Sequence, residues 1–185
     1  MPTSDQDPQI GEVLEVSSQI KGSALRGTLL HKLMEERITG ELEEGVDIIR
    51  DRARELISQS GEIDQENPAE GISSQELAET VTKTCELEPI QALWQKLVPE
   101  YPIHSYRSIE GKVPSIISGI ADAVALGNDG KVTHIIDWKS DTRLSQIQTK
   151  YYKQQVSAYM EATGAKEGLI VYMTKGTFET VASKM

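Results

Sequence analysis

The sequence predicts an α/β domain, a mixed central β-sheet flanked by helices, with a helical N-terminal part. Three observations support this fold class. The first half of the chain repeats apolar residues at helical spacing, and residues 118–141 have the pattern of two strands joined at Asp129-Gly130. A further helical segment, 145–163, then precedes the apolar run 168–174. Strands that alternate with helices are typical of a sheet with helices on its faces.

Each element follows from a local pattern. Apolar residues at helical spacing predict the helices, and runs that are apolar on both faces predict inner strands. Gly164 ends the helix that follows the hairpin. In chain order we predict a flexible lead at 1–21, helices at 26–39 and 41–58, an internal loop at 60–74, a helix at 75–97 interrupted near Pro89, a strand at 103–109, the hairpin, a helix at 145–163, a strand at 168–174 and an edge strand at 177–182.

Length and composition indicate one domain. A chain of 185 residues, 38% of them hydrophobic, has the ordinary size for a single core, so we expect residues 22–185 to form a single domain. No apolar run approaches the roughly 18 residues of a membrane span, and the N-terminus lacks the pattern of a signal peptide. We therefore expect a cytoplasmic protein without a membrane partner. The single cysteine, Cys85, excludes an internal disulfide and a four-cysteine iron–sulfur cluster within the chain.

The hairpin brings charged residues together. A two-residue type I′ loop at Asp129-Gly130 places Val124 opposite Ile135, and it places Asp122 opposite Asp137. Directly opposed Cβ atoms lie roughly 4.5 to 5.5 Å apart, and like charges in that relation are destabilising unless a cation lies between them. A divalent cation with oxygen ligands meets this requirement. Lys139, two residues beyond Asp137, points to the same side of its strand.

Strict alternation predicts apolar side chains on both faces of this hairpin. We expect the face of the charges to carry Ile120, Val124, Leu126 and Ile135, and the other face to carry Ile117, Ala121, Ala123, Val132, Ile136 and Trp138. A strand that is apolar on both faces belongs to the middle of a sheet, where charges are paired or metal-bound. An exposed hairpin with solvated charges is the alternative interpretation.

Five segments of the chain together resemble a known family. In chain order they are Arg26-Gly-Thr-Leu-Leu-His31, Pro99-Glu100-Tyr-Pro-Ile, Gly119-Ile-Ala-Asp122, Ile135-Ile-Asp137-Trp-Lys139 and Tyr152-Lys-Gln-Gln155-Val-Ser-Ala-Tyr159. Their order is similar to that of the PD-(D/E)xK nuclease superfamily, in particular its RecB/AddA-type exonuclease domains. The resemblance covers about residues 24–174. It departs from the superfamily's name at one position, where Ala121 stands in place of the proline.

The resemblance implies a restriction-endonuclease-like fold and a role for each matching residue. The expected ligands of a Mg²⁺ or Mn²⁺ ion are His31, Asp122, Asp137 and the backbone carbonyl of Trp138. The expected catalytic residues are Asp122, Asp137, Lys139 and Glu100, and the residues expected beside the lysine and the DNA are Tyr152, Gln155 and Tyr159. Other interpretations stay open. His31 also suits a packed or solvated helix position, and Glu100 also suits an exposed surface position. Tyr152, Gln155 and Tyr159 also suit core and cap positions of a helix.

By resemblance, the function is metal-dependent hydrolysis of DNA phosphodiester bonds, as a DNA exonuclease in repair or recombination with a helicase partner. One alternative is a catalytically weak or inactive scaffold of the same fold in a DNA-processing complex, and another is a metal-stabilised domain without a nucleic-acid role. The net charge of −10 opposes unaided DNA binding, because phosphates are bound through lysine and arginine. Either the acidic residues lie away from the site, or a partner supplies the DNA contacts.

Overall fold

The computed structural model describes residues 20–107 and 115–183. Nearly all of the predicted lead at 1–21 lies outside these residues, as does the end of the predicted strand at 103–109. No helix in the two described ranges has both the length and the apolar character that crossing a membrane requires.

Four helices form the N-terminal part. They are α1 (Ala24–Thr39), α2 (Val46–Gln59), α3 (Ser74–Cys85) and α4 (Glu88–Leu93), followed by a 3₁₀ turn at Trp94–Lys96. The Ser23 hydroxyl caps α1 by accepting a hydrogen bond from the Arg26 N–H. Pro89 lies in the first turn of α4, where its missing N–H costs nothing, so the helix predicted at 75–97 is divided before it. The helix predicted from residue 41 begins only at Val46, because Gly40 ends α1 in the left-handed region and Gly45 also has a positive φ.

Five strands form one sheet in the order β1-β2-β3-β4-β5. They are β1 (Leu97–Arg107), β2 (Ser115–Leu126), β3 (Val132–Lys139), β4 (Glu167–Tyr172) and β5 (Thr177–Ala182). The pairs are antiparallel except for β3 and β4, which are parallel and are joined by α5 (Gln146–Thr163). The predicted α/β class with a mixed sheet and flanking helices is confirmed.

Strand β1 begins six residues before its predicted start at 103. Proline cannot donate to a sheet ladder, but β1 is an edge strand, so Pro99 and Pro102 are tolerated in it and both are in register with β2. Glu100 therefore lies inside a strand instead of before it, at a position where the ladder to β2 is interrupted.

The sheet separates two hydrophobic clusters. One packs α1, α2 and α3 against one face through residues such as Leu33, Ala53, Val81 and Trp138. The other packs α5 against the opposite face through Val156 and Met160. A Cβ at Gly168 in β4 would overlap Val156 Cγ1, so glycine is what allows α5 to lie this close to the sheet.

The hairpin between β2 and β3 differs from the predicted two-residue type I′ loop. The Gly130 N–H donates to the Gly127 carbonyl and the Gly127 N–H donates to the Lys131 carbonyl, while Gly130 alone in the loop has a positive φ. The loop therefore has three residues, which shifts the pairing by one. A β-bulge lies next to this loop. Leu126 pairs with Val132 but Ala125 pairs with His134, so Thr133 has no pairing partner in β2. The bulge shifts the register back, so the predicted pair Val124 and Ile135 is confirmed.

Candidate metal and nuclease site

The site lies where β2 and β3 separate. The backbone ladder between them runs as far as the pair Ala123 and Ile136, so Asp122 and Asp137 are the next residues in register. Beyond that point Asp122 replaces the ladder, since its Oδ2 accepts a hydrogen bond of 2.7 Å from the Trp138 N–H. Its other oxygen, Oδ1, lies at the end of the gap between the strands, 3.5 Å from His31 Nδ1.

Regular alternation of side chains breaks at the same level of the sheet. Ala121 and Val124, three residues apart, both belong to the cluster beneath α5, and Ile120 is 56% exposed. The predicted positions of Ile120 and Ala121 are therefore wrong. The predicted face of Val132 is also wrong, because the bulge at Thr133 turns this side chain toward α5. A period of two holds only along an unbroken ladder.

The neighbouring strand β1 has its own irregularity opposite Asp122. Glu100 has a φ of 49°, and it is the only non-glycine residue with a positive φ in the described ranges. Its flanking residues Pro99 and Tyr101 pair with Ala123 and Ala121. A left-handed conformation is costly for a side chain with a Cβ and is often found at functional sites.

Asp137 is the most deeply buried carboxylate of the group, at 5% exposure. Lys139 Nζ donates to its Oδ1 at 3.1 Å and lies 2.9 Å from Oδ2, although the angle at Oδ2 does not suit a hydrogen bond and that oxygen accepts none. Burial raises the pKa of Asp137 to about 6; the Lys139 ammonium opposes this shift, and the Asp122 carboxylate adds to it. The Lys139 ammonium therefore offsets only part of the cost of burying this carboxylate, and a further cation at the site would favour its charged form.

His31, on α1, reaches the same strand end from the other face of the sheet. Its Nε2 lies 3.1 Å from the Trp138 carbonyl oxygen, and its Nδ1 lies 3.5 Å from Asp122 Oδ1. Burial lowers the pKa of His31. The Asp122 and Asp137 carboxylates raise it by more than this, so the pKa lies above the ordinary value of 6.5. α1 thus brings an imidazole to the predicted backbone ligand of Trp138.

Tyr152 on α5 holds the lysine from the opposite side. The Lys139 ammonium lies 4.3 Å from the centroid of the Tyr152 ring, a cation–π contact. The Tyr152 hydroxyl donates to Asp141 Oδ2 at 3.0 Å. Burial and the hydrogen bond to Asp141 raise the pKa of Tyr152 to about 12, so the phenol stays protonated and keeps donating.

Gln155 and Tyr159 lie further along α5. Gln155 is half-buried, and its side-chain amide makes no hydrogen bond to a described residue. The Tyr159 hydroxyl packs on Gly119 of β2, where a Cβ would overlap it. Among the three α5 residues that the sequence pointed to, the one in contact with Lys139 is therefore Tyr152.

A cleft of about 710 Å³ opens next to the strand end, although Asp122, Asp137 and Lys139 themselves do not line it. It is lined by α1, by Glu100 and by the segment after β3, including Gly27, His31, Glu35, Ser140 and Arg143. Burial raises the pKa of Glu100, and the Asp122 and Glu35 carboxylates raise it further. Glu35 was not among the sequence candidates, although it follows His31 by one helical turn and so faces the same cleft.

Sequence reasoning also missed a role for Arg26. This residue is 1% exposed and donates through Nε and Nη2 to both carboxylate oxygens of Glu76 on α3. Its Nη1 donates to the Ser140 carbonyl at 2.9 Å and to Thr174 Oγ1 at 3.2 Å. The guanidinium therefore joins α1, which carries His31, to the residue that follows Lys139. Its partners lie 50 to 148 positions away in sequence, and no local pattern indicates them.

The donor atoms at the strand end suit a hard divalent cation. Carboxylate and carbonyl oxygens are preferred by Mg²⁺, and an added imidazole is also suited to Mn²⁺. Asp137 Oδ2 is buried and accepts no hydrogen bond, and the Lys139 ammonium lies 2.9 Å from it, so a cation already faces this oxygen. His31 Nε2 lies 3.1 Å from the Trp138 oxygen, which is a hydrogen-bond distance, so these two expected ligand atoms lie side by side at the strand end. In the described ranges no three His, Cys, Asp or Glu side chains already converge on one point, so the side chains must draw together to hold an ion.

Comparison with known families decides what this arrangement belongs to. The sequence profile described as the PD-(D/E)XK nuclease superfamily matches residues 9–177. The chain belongs to the PD-(D/E)XK nuclease superfamily. The five-stranded mixed sheet with flanking helices is consistent with the restriction-endonuclease-like fold of this superfamily.

Other comparisons add less to this assignment. A solved structure described as "Crystal structure of SSO0001" is similar over 88% of this chain and 80% of its own chain, with 17% identity and a TM-score of 0.42. A search of curated proteins gave no significant match.

Proposed function

We propose that this PD-(D/E)XK superfamily domain hydrolyses DNA phosphodiester bonds with a divalent metal ion at the end of β2 and β3. The observation that carries the proposal is the convergence of Asp122, Asp137 and Lys139 where the two strands separate. Clustered buried charges are costly to keep, and a site with metal ligands and a lysine gives them a use. The proposed substrate follows from the superfamily, whose members act on nucleic acids.

Each side chain has a distinct proposed role. Asp122, Asp137, His31 and the Trp138 carbonyl hold the ion, which when bound polarises the phosphate and lowers the pKa of a water molecule. Lys139 is held between Asp137 and the Tyr152 ring, so its ammonium is fixed in position before substrate binds. A fixed cation stabilises negative charge that develops on the phosphate, or orients the attacking water, without reorganising.

Glu100 serves as the accessory acid of this proposal. It faces the cleft next to Asp122, and its raised pKa favours uptake of a proton or a contact to the ion through water. Exonuclease action in DNA repair or recombination, with a helicase partner, is the finer proposal. It is supported by the resemblance of the Tyr152 to Tyr159 segment to RecB/AddA-type domains, and by the absence of a P-loop in the sequence.

A scaffold with weak or no catalytic activity is the second candidate. Two observations favour it: Lys139 already neutralises Asp137, and no three metal-binding side chains in the described ranges converge. The two candidates differ in whether the isolated chain turns over DNA.

The experiment is a cleavage assay on end-labelled single- and double-stranded DNA with Mg²⁺, with Mn²⁺ and with EDTA. We expect metal-dependent cleavage that Asp137→Asn reduces by about a hundredfold or more, since this is the usual cost of losing one preorganised electrostatic group. Asp129→Asn, in the exposed turn of the same hairpin, is the matched control and should cleave at the wild-type rate. Cleavage by Asp137→Asn at the wild-type rate would reject the site, and a wild-type chain inactive on both substrates would favour the scaffold.

A further inference from the structure

The acidic residues of this chain are unevenly distributed. Residues 35–79 contain 14 of the 29 acidic residues, whereas residues 142–160 contain none and include Arg143, Lys150 and Lys153. The segment from α1 to α3 thus carries nearly half of the acidic residues. A polyanion is repelled by that segment and less so by the stretch 142–160.

Helix α5 also exposes apolar side chains that its own fold does not cover. Ile147 is 83% exposed and Tyr151 is 63% exposed, and the two are four residues apart on one side of the helix. Lys150 and Gln154 are exposed beside them. We call Ile147, Lys150, Tyr151 and Gln154 the α5 outer face. Lys153 also points outward, but its ammonium is paired with Glu179 at 2.7 Å.

The α5 outer face is continuous with the catalytic residues. The Tyr151 ring contacts the Tyr152 ring edge-on with a centroid separation of 6.3 Å, and the Tyr152 ring in turn lies beneath the Lys139 ammonium. Arg143, which lines the cleft next to the strand end, precedes α5 by three residues. A strand with one phosphate at Lys139 therefore has a cationic and aromatic surface directly next to it.

We propose that the α5 outer face carries a single strand of nucleic acid to the site, with an unpaired base stacked on Tyr151 and phosphates next to Lys150 and Arg143. This inference rests on the proposed nuclease function, which brings the strand to Lys139. Bases within a duplex already have both faces stacked, so only an unpaired base can stack on an exposed tyrosine. Stacking on an aromatic side chain is tolerant of sequence, as a surface without base-reading groups requires.

Charge separates this occupant from a protein partner. A docked polypeptide would need apolar area but not a carboxylate-free stretch, whereas phosphates need cations and are repelled by Asp and Glu. The 19 residues from 142 to 160 contain no carboxylate in a chain of net charge −10, and Asp141 and Glu161 stand directly beyond the two ends of this stretch. The uneven charge also reconciles the acidic composition with a nucleic-acid substrate.

The test measures binding of fluorescein-labelled oligothymidylate by fluorescence anisotropy, in EDTA so that no cleavage occurs. We expect Tyr151→Ala to weaken binding by about tenfold or more, and Tyr151→Phe, which keeps the ring, to bind like the wild type. Ile63→Ala is the control for an exposed apolar residue elsewhere, since Ile63 is 75% exposed between α2 and α3, and it should have no effect. Lys150→Gln should reduce the slope of log K against log salt by about 0.7, while Lys83→Gln on α3 leaves it unchanged.

The outcomes separate this proposal from the proposed hydrolysis. If Tyr151→Ala binds as tightly as the wild type, or if Ile63→Ala weakens binding equally, the strand path is overturned and the α5 outer face is left for a protein partner. If binding depends on Tyr151 but no metal supports cleavage, the strand path stands and the hydrolysis fails. If the chain cleaves DNA and Tyr151→Ala changes neither binding nor rate, the hydrolysis stands and the strand path fails. Unchanged circular dichroism of each variant shows that the fold is kept.

Discussion

Arg26 offers the sharpest test of how α1 is fixed to the site. Its guanidinium is 1% exposed, bonds both oxygens of Glu76 and holds the Ser140 carbonyl. Replacing Arg26 by Met keeps much of the side-chain volume but leaves the Glu76 carboxylate buried with Thr80 as its remaining hydrogen-bond donor. Removing one partner of a buried ion pair costs about 3–5 kcal/mol, because the other charge remains uncompensated.

This cost is large relative to the total of about 5–15 kcal/mol for a native domain. For a chain of this size it corresponds to a fall in melting temperature of about 6 to 20 °C. The double variant Arg26→Met/Glu76→Gln removes both charges and keeps an acceptor for Thr80, so it should regain most of the loss. The Ser140 carbonyl keeps a donor in either variant, since the Thr174 hydroxyl bonds it at 3.0 Å.

Urea denaturation of the wild type, both single variants and the double variant gives the four corners of a double-mutant cycle. The reasoning would be refuted if Arg26→Met lost less than about 1 kcal/mol, or if the double variant were no more stable than Arg26→Met. Arg52→Met is a useful comparison, because its pair with Glu36 is also hydrogen-bonded but the Glu36 carboxylate keeps the Lys32 ammonium at 3.9 Å, so this variant should lose less.

Three further predictions follow from the site and its supports. Lys139→Ala should lose turnover yet keep Mn²⁺ affinity within about tenfold, whereas Asp122→Ala should lose both; equal loss of affinity in calorimetric titration would reject this division of roles. Gly119→Ala should destabilise the fold by about 1–3 kcal/mol through overlap with Tyr159, and Tyr159→Ala should relieve part of that cost, so strictly additive effects in urea denaturation would contradict the contact. Burial raises the pKa of Asp64, but hydrogen bonds from Ser74 and the Arg54 guanidinium bring the pKa below its ordinary value of 3.8. Its carboxylate therefore stabilises the fold above that pH, and the contribution is lost as pH falls through the lowered pKa. Asp64→Asn should cost stability near neutral pH and progressively less in acid, and an equal cost at every pH would show that the charge is not involved.

The sequence alone predicted the pairing of β2 with β3 but not the route by which it is reached. The expected two-residue loop predicted the pair Val124 and Ile135 correctly, because two deviations cancel: the loop has three residues, which shifts the register by one, and the bulge at Thr133 shifts it back. A bulge has no reliable sequence signal, since the extra residue is an ordinary threonine. Face assignments that crossed a bulge or a break therefore failed, as for Val132 and Ala121.

The candidate site divides in a similar way. The contact of Lys139 with Asp137 follows from their spacing of two along one strand, and that part is visible in sequence. The position of Tyr152 under Lys139 depends on how closely α5 approaches the sheet, which Gly168 determines from another strand. Arg26 and Glu76 are joined only by tertiary packing. Local patterns pointed to the candidate residues, whereas long-range contacts determine how those residues are held.

The most direct test of the central claim is to locate the metal. Crystals grown with Mn²⁺ and measured at a wavelength with strong manganese anomalous scattering would show its position independently of activity. We expect a peak at the end of β2 and β3, bonded to the Asp122 and Asp137 carboxylates and the Trp138 carbonyl, with the His31 imidazole as a further ligand. A peak elsewhere on the chain, or a fully active enzyme with no peak at this strand end, would contradict it.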